Sequence, residues 1–303
     1  MDKKGFWLVL LTAVISGVSV FVNSFGVAQS NAYVFTFLKN LVVSVFLVSV
    51  VLLAGELKAL KSLTSKQWSK LLLIAVVGGS VPFLLFFRGL QLTTAASGSF
   101  IHKTMFVYVA ILAALLLKEK LDKRFIFGAV LLLLGNLLLL GLTHVSFGFG
   151  DLLVLAATLF WAVENVISKS AVKTISPNIV ASSRMFLGSL LIFVFLAVTN
   201  QLPAIASITF SQLGWVLVSV PFLILYLLTW YNGIKYIDIS KATCILLVGS
   251  PITTVLSILF AGKQLLLSQA AGMLLVVIGV VVAADVVKIL SSLKYHLQWC
   301  IKQ

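Results

Sequence analysis

Five ionisable side chains fall inside long apolar runs: Lys39, His102, Lys103, Glu164 and Arg184. A charge in hydrocarbon is costly, so such residues ordinarily face a cavity or a partner. Glu164 and Arg184 lie at matching depths, about 8 Å and about 10 Å from the inner ends of their runs, Lys169 and Pro177, at the helical rise per residue. They are expected to pair. That pair is either an anchor between neighbouring spans or a gate with a coupling carboxylate. Lys39 lies about 9 Å, and His102 and Lys103 about 12–14 Å, from the opposite end of theirs. Their stretch holds no acid, so together they form a candidate anion site in low dielectric. The plainer alternatives are that Lys39 bonds helix-end carbonyls and that Lys103 snorkels outward. His102 either titrates near neutral pH or is held by hydrogen bonds. Adjacent helical residues point about 100° apart, so His102 and Lys103 cannot both face one cavity squarely. Trp161 and Asn165, four apart, share a face on which an aromatic ring and an amide suit a polar small molecule. Trp161 is equally suited to packing. Tyr108, Tyr231 and Asn232 are lesser candidates of the same kind.

No catalytic set accompanies them. The three histidines are scattered, with no His-x-x-His and no Ser/His/Asp arrangement, which disfavours an enzyme, a metal site or a cofactor. The two cysteines, Cys244 and Cys300, imply no disulfide framework.

The elements that position these residues follow from composition. Hydrophobic residues make up 61% of 303, charged residues 10%, and mean hydropathy is +1.18. Soluble domains average about 45–50% apolar and about 25% charged. In lipid every backbone group must be satisfied within the protein, which leaves helices or a closed barrel. Apolar–polar alternation is absent, so the barrel fails and an all-α integral membrane protein remains. Ten spans are read: Phe6–Phe25, Tyr33–Leu53, Leu71–Leu90, Thr94–Leu117, Phe125–Leu142, Phe149–Lys169, Pro177–Val198, Trp215–Ile234, Ile239–Phe260 and Gln269–Val287. The third and fourth, and the eighth and ninth, must form tight hairpins.

The net charge of +14 is distributed by side. With a cytoplasmic N-terminus, 17 of the 22 Lys and Arg fall on the inner side, only Arg88 and Lys263 on the outer side, and Lys39, Lys103 and Arg184 within spans. This is the positive-inside pattern of a cytoplasmic-membrane protein with both termini inside, and its scatter over six short segments excludes a nucleic-acid surface. The first run, after Lys3 and Lys4, resembles a signal peptide with a weak Gly26-Val27-Ala28 site, but its counterpart in the second half marks it as a retained span.

That counterpart comes from an internal repeat. At an offset of 144, Gly89 falls on Gly233, Gly128 on Gly272 and Gly135 on Gly279; at 145, Lys39 falls on Arg184. A unit of five spans is odd, so the second copy enters the membrane inverted, as in secondary transporters with a midplane site. The units are 1–145 and 146–287. The tail, 288–303, reads as a basic amphipathic helix on the anionic inner leaflet. The halves differ where Ser19 stands against Glu164, and where His102-Lys103 stands against Leu246-Leu247. The glycines spaced by seven, Gly128 with Gly135 and Gly272 with Gly279, should let helices pack closely. Pro82, Pro221 and Pro251 should kink theirs.

The stretch Phe87-Arg88-Gly89-Leu90-Gln91-Leu92-Thr93-Thr94-Ala95-Ala96-Ser97, then Leu117-Lys118-Glu119-Lys120-Leu121, then Gly128 and Gly135, resembles the EamA-like branch of the drug/metabolite transporter superfamily. The resemblance spans about residues 5–287. It implies a duplicated five-helix unit, a basic residue in the second helix of each unit, an acidic turn after the fourth, and alternating access around a central cavity. One departure is Gly262-Lys263-Gln264, where Lys263 stands in place of Glu119's counterpart. The expectation is a transporter of a small polar metabolite, anionic or zwitterionic, with an amino acid or another carboxylate foremost. A phosphorylated-sugar transporter or a lipid flippase of the same fold is the alternative. Beyond substrate and membrane lipid no partner is implied, and oligomeric state is left open.

Overall fold

A computed structural model describes residues 2–27, 31–140, 147–262 and 264–286. Lys263, Cys300 and the expected amphipathic tail lie outside the described residues.

Every element among these residues is helical: α1 Lys3–Val27, α2 Ala32–Leu53, α3 Leu57–Lys61, α4 Ser65–Ile74, a π-helical turn Ala75–Ser80, α5 Val81–Leu92, α6 Ala95–Lys103, α7 Met105–Leu116, α8 Lys123–Leu140, α9 Phe149–Ala171, α10 Pro177–Val198, α11 Pro203–Ala206, α12 Phe210–Ile234, α13 Ile239–Leu246, α14 Gly249–Ala261 and α15 Leu267–Ala283. Eight stretches are long and apolar enough to cross a membrane, counting α4 through α5, α6 with α7, and α13 with α14 as continuous spans. The other two expected spans correspond to α8 and α15, of 18 and 17 residues, which are not among the eight. The outer surface carries large apolar side chains such as Leu53 (89% exposed) and Leu267 (88%). An apolar belt of this kind suits lipid and would be a liability in water.

Three expected spans are interrupted. Pro82 has no N–H and cannot donate to the carbonyl of Gly78 four residues back, and the chain relaxes there into the π turn. Pro251 likewise cannot donate to Leu247, and at the junction between α13 and α14 that carbonyl accepts instead from Ser250 N at 2.9 Å. The third break is at Thr104, between α6 and α7, where the hydroxyl donates to Ile101 O at 2.6 Å. Thr104 and Val248, at two of these breaks, are related by the 144-residue offset. Pro221, in contrast, lies inside an unbroken α12.

The packing is reciprocal. Helix α1 lies on α12 and α14, while α9 lies on α5 and α7; α2 packs on α10, and α8 on α15. The last pair meets through the four glycines spaced by seven. A Cβ on Gly135 would press on Gly272 O at 2.8 Å, and one on Gly272 on Gly135 O at 2.7 Å. These residues are small because the two backbones touch.

Candidate functional site

A cavity of about 220 Å³ lies between the halves. Its polar lining is Glu164, Arg184, Asn165, His102, Ser16 and Ser19, and Trp161, Phe83, Tyr226 and Trp230 supply aromatic rings.

The expected ion pair is present. Arg184 Nη1 stands 3.6 Å from Glu164 Oε2, with Arg184 7% and Glu164 1% exposed. The pair is held from several sides. Tyr231 Oη donates to Glu164 Oε1 at 2.7 Å and accepts from Arg184 Nη1 at 3.1 Å. Ser168 Oγ also donates to Glu164 Oε1, at 2.6 Å. The carbonyl of Gly78, freed by Pro82, accepts from Arg184 Nη2 at 3.0 Å and from Trp161 Nε1 at 3.1 Å. Pro82 thus leaves an acceptor that a residue with an N–H at that position would have consumed. Gly78 and Gly79 make room: a Cβ on Gly78 would overlap the side chain of Glu164, and one on Gly79 the carbonyl of Arg184.

His102, on α6, packs edge-on to Trp161 and beside Phe86, with ring centroids at 5.0 and 5.1 Å. Asn165 Nδ2 donates to the backbone carbonyl of Trp161, one turn back on α9, at 2.8 Å. Lys103 turns into a smaller adjoining cavity that also holds His102. Lys39 does not join them. It is 7% exposed, its Nζ sits 5.3 Å from the ring of Phe35 on its own helix, and it lines neither cavity. The expected cluster of Lys39, His102 and Lys103 is therefore divided, because α2 packs on α10 and α12 while α6 packs on α9 and α8. Tyr108 packs against the apolar core and is likewise absent from both linings. Tyr231, a lesser candidate in sequence, bridges the ion pair.

Sequence reasoning missed a second set of carboxylates that tie the halves together at the helix ends. Glu119 accepts from Ile239 N at 2.8 Å, Ser240 N at 3.1 Å and Ser240 Oγ at 2.6 Å, capping α13 of the other half. Asp151 accepts from Thr93 Oγ1 at 2.6 Å and from Ser97 Oγ, at the start of α6. Glu56 accepts from Ser176 Oγ at 2.7 Å and Asn178 Nδ2 at 3.0 Å, at the start of α10. Glu119 thus takes up two backbone donors at the start of α13, while Asp151 and Glu56 bind side chains near the starts of α6 and α10, where negative charge is favoured. The signal was a run of hydroxyl residues at those starts, which gave no indication of a cap from so distant a segment. Glu119→Gln should lower the unfolding midpoint in detergent by the equivalent of about 0.5–2 kcal/mol, as lost caps do; an unchanged midpoint would show that the cap contributes nothing.

Residues 3–141 and again 148–284 match the model of the EamA-like transporter family. The chain belongs to that family. An uncharacterized transporter, YyaM, of Bacillus subtilis (strain 168) is 26% identical over 236 residues, 76% of this chain and 77% of that one. An uncharacterized transporter of Clostridium kluyveri is 23% identical over 291 residues, 92% and 93% of the two chains. A crystal structure 16% identical in sequence superposes with a TM-score of 0.80, covering 94% of this EamA-like chain and 99% of that one, which establishes a shared fold. The protein is thus an all-helical, multi-pass membrane transporter of the EamA-like family.

Proposed function

We propose that this EamA-like protein is a secondary transporter of a small zwitterionic or carboxylate-bearing metabolite, an amino acid foremost, working by alternating access. The units are 1–145 and 146–287, ten spans in all with α8 and α15 as fifth and tenth, the second unit inverted. Two matches of one family model and the reciprocal packing of α1 and α9 support this layout. The Lys-rich segments support a cytoplasmic-membrane location with both termini inside.

The observation that carries the substrate reading is the composition of the 220 Å³ cavity, which joins a fixed carboxylate–guanidinium pair to aromatic walls deep among apolar helices. Drug-sized ligands occupy pockets of about 300–1,000 Å³, so this volume suits a smaller solute and disfavours an acyl chain. Arg184 is already neutralised by Glu164, which leaves a sugar phosphate's two charges poorly matched. An ammonium can meet the faces of Trp161 and Tyr226 beside Glu164.

The test is uptake and counterflow in proteoliposomes with neutral amino acids, the amines lacking their carboxylate, and the acids lacking their amine. Counterflow of a zwitterion or carboxylate is expected, and Trp161→Ala should cut it by at least about tenfold, roughly the 1.4 kcal/mol of a lost aromatic contact. Exchange confined to permanently cationic compounds would overturn the reading.

A further inference from the structure

A second cavity, of about 60 Å³, adjoins the central one and shares Ser16, His102, Met105 and Tyr226 with it. It lies between the break at Thr104 and the break at Leu247-Val248. His102 and Lys103 line it. Leu246 and Leu247, the residues that the 144-residue offset sets against them, also line it, with Thr243 and Phe106. The repeat thus lends this cavity basic residues from one unit and leucines from the other.

The basic lining is electrostatically incomplete. Among the described residues no Asp or Glu lines this cavity. Lys103 has no ion pair or hydrogen bond among them, and His102 Nδ1 is buried without a partner. Glu164, the acid of the central cavity, is occupied by Arg184, Tyr231 and Ser168. A cation lining a cavity among apolar helices without a counter-charge attracts an anion, and buried polar atoms ordinarily find partners. The space holds a few waters or one compact ion and no more.

We infer that this annex binds one compact monovalent anion through Lys103 and His102. The anion is either the carboxylate end of the transported solute or a free chloride. Only the first source rests on the substrate reading above. The leucines reject a second charge, and the volume rejects a bulky head group.

The experiment is thermal unfolding of the purified full-length protein in detergent, at constant ionic strength held with sulfate, titrated separately with acetate and with chloride. In the wild type and in Lys103→Arg, at least one of the two should raise the midpoint saturably. In Lys103→Leu, which places in one half the residue already present in the other, the response should disappear while the protein still unfolds cooperatively. His102→Gln, which keeps a donor, should shift the half-saturating concentration without abolishing the response. Equal responses in wild type and Lys103→Leu, or none to either anion in the wild type, would overturn the inference. Chloride-dependent uptake assigns the site to a free ion. Competition between acetate and the solute, with uptake indifferent to chloride, assigns it to the solute's carboxylate. Because the titration needs no transport, saturable stabilisation without counterflow of any zwitterion or carboxylate would sink the transport reading and leave the annex standing.

Discussion

Glu164→Leu should destabilise the protein by about 3–5 kcal/mol, the usual cost of removing one member of a buried ion pair and stranding the other. The magnitude is large because Arg184 is 7% exposed and would keep only Tyr231 and the Gly78 carbonyl as partners. Arg184→Leu should cost a similar amount. The double variant should unfold later than either single one, since two leucines leave no uncompensated charge, and it should still fail to transport. Denaturation of the four proteins in mixed micelles measures the coupling directly. A Glu164→Leu protein as stable as wild type would show that the 3.6 Å pair does not hold α9 to α10.

The second large effect is expected at the π turn. Gly78→Val adds a branched side chain where even a Cβ would overlap Glu164 and come within 3.2 Å of Arg184 Nε. The neighbouring glycine abuts the α10 backbone, so the π turn cannot retreat as a unit. Overpacking of this kind typically costs about 1–3 kcal/mol. Here it also displaces the carbonyl that holds both Arg184 and Trp161. Transport should fall below a tenth of wild type while insertion persists. A Gly214→Val control should be nearly silent, because nothing lies within 4 Å of that position. If Gly78→Val transports normally, the π turn does not position the site.

Much of this arrangement was legible in the residues, for identifiable reasons. The pairing of Glu164 with Arg184 followed from depth alone, because a helix advances a fixed distance per residue and two opposite charges in lipid have few other partners. Close helix packing through the glycines spaced by two turns was legible; that α8 and α15 are the two helices that meet there comes from the fold. Other features depended on long-range geometry. Proline chemistry marks kinks at Pro82, Pro221 and Pro251, of which α12 runs unbroken through Pro221. That the freed Gly78 carbonyl would be taken by Arg184 and Trp161, residues 106 and 83 positions away, required the packing of three helices. Lys39 was grouped with Lys103 on depth, but depth carries no information about azimuth, and the two helices face different neighbours. Glu119 was visible as part of an acidic turn. Its role as the cap of α13, 120 residues on, was invisible because nothing local links the two segments.

The most direct test of the pocket as the transport route uses Ser19, which lines the central cavity together with Glu164. Ser19→Cys, in a background carrying Cys244→Ala and Cys300→Ala, is reconstituted and exposed to a membrane-impermeant thiol reagent from each face in turn. Modification is expected to block counterflow, and the transported solute should slow the labelling with a concentration dependence matching its KM. Full modification that leaves counterflow intact, with labelling indifferent to the solute, would contradict a route through this cavity.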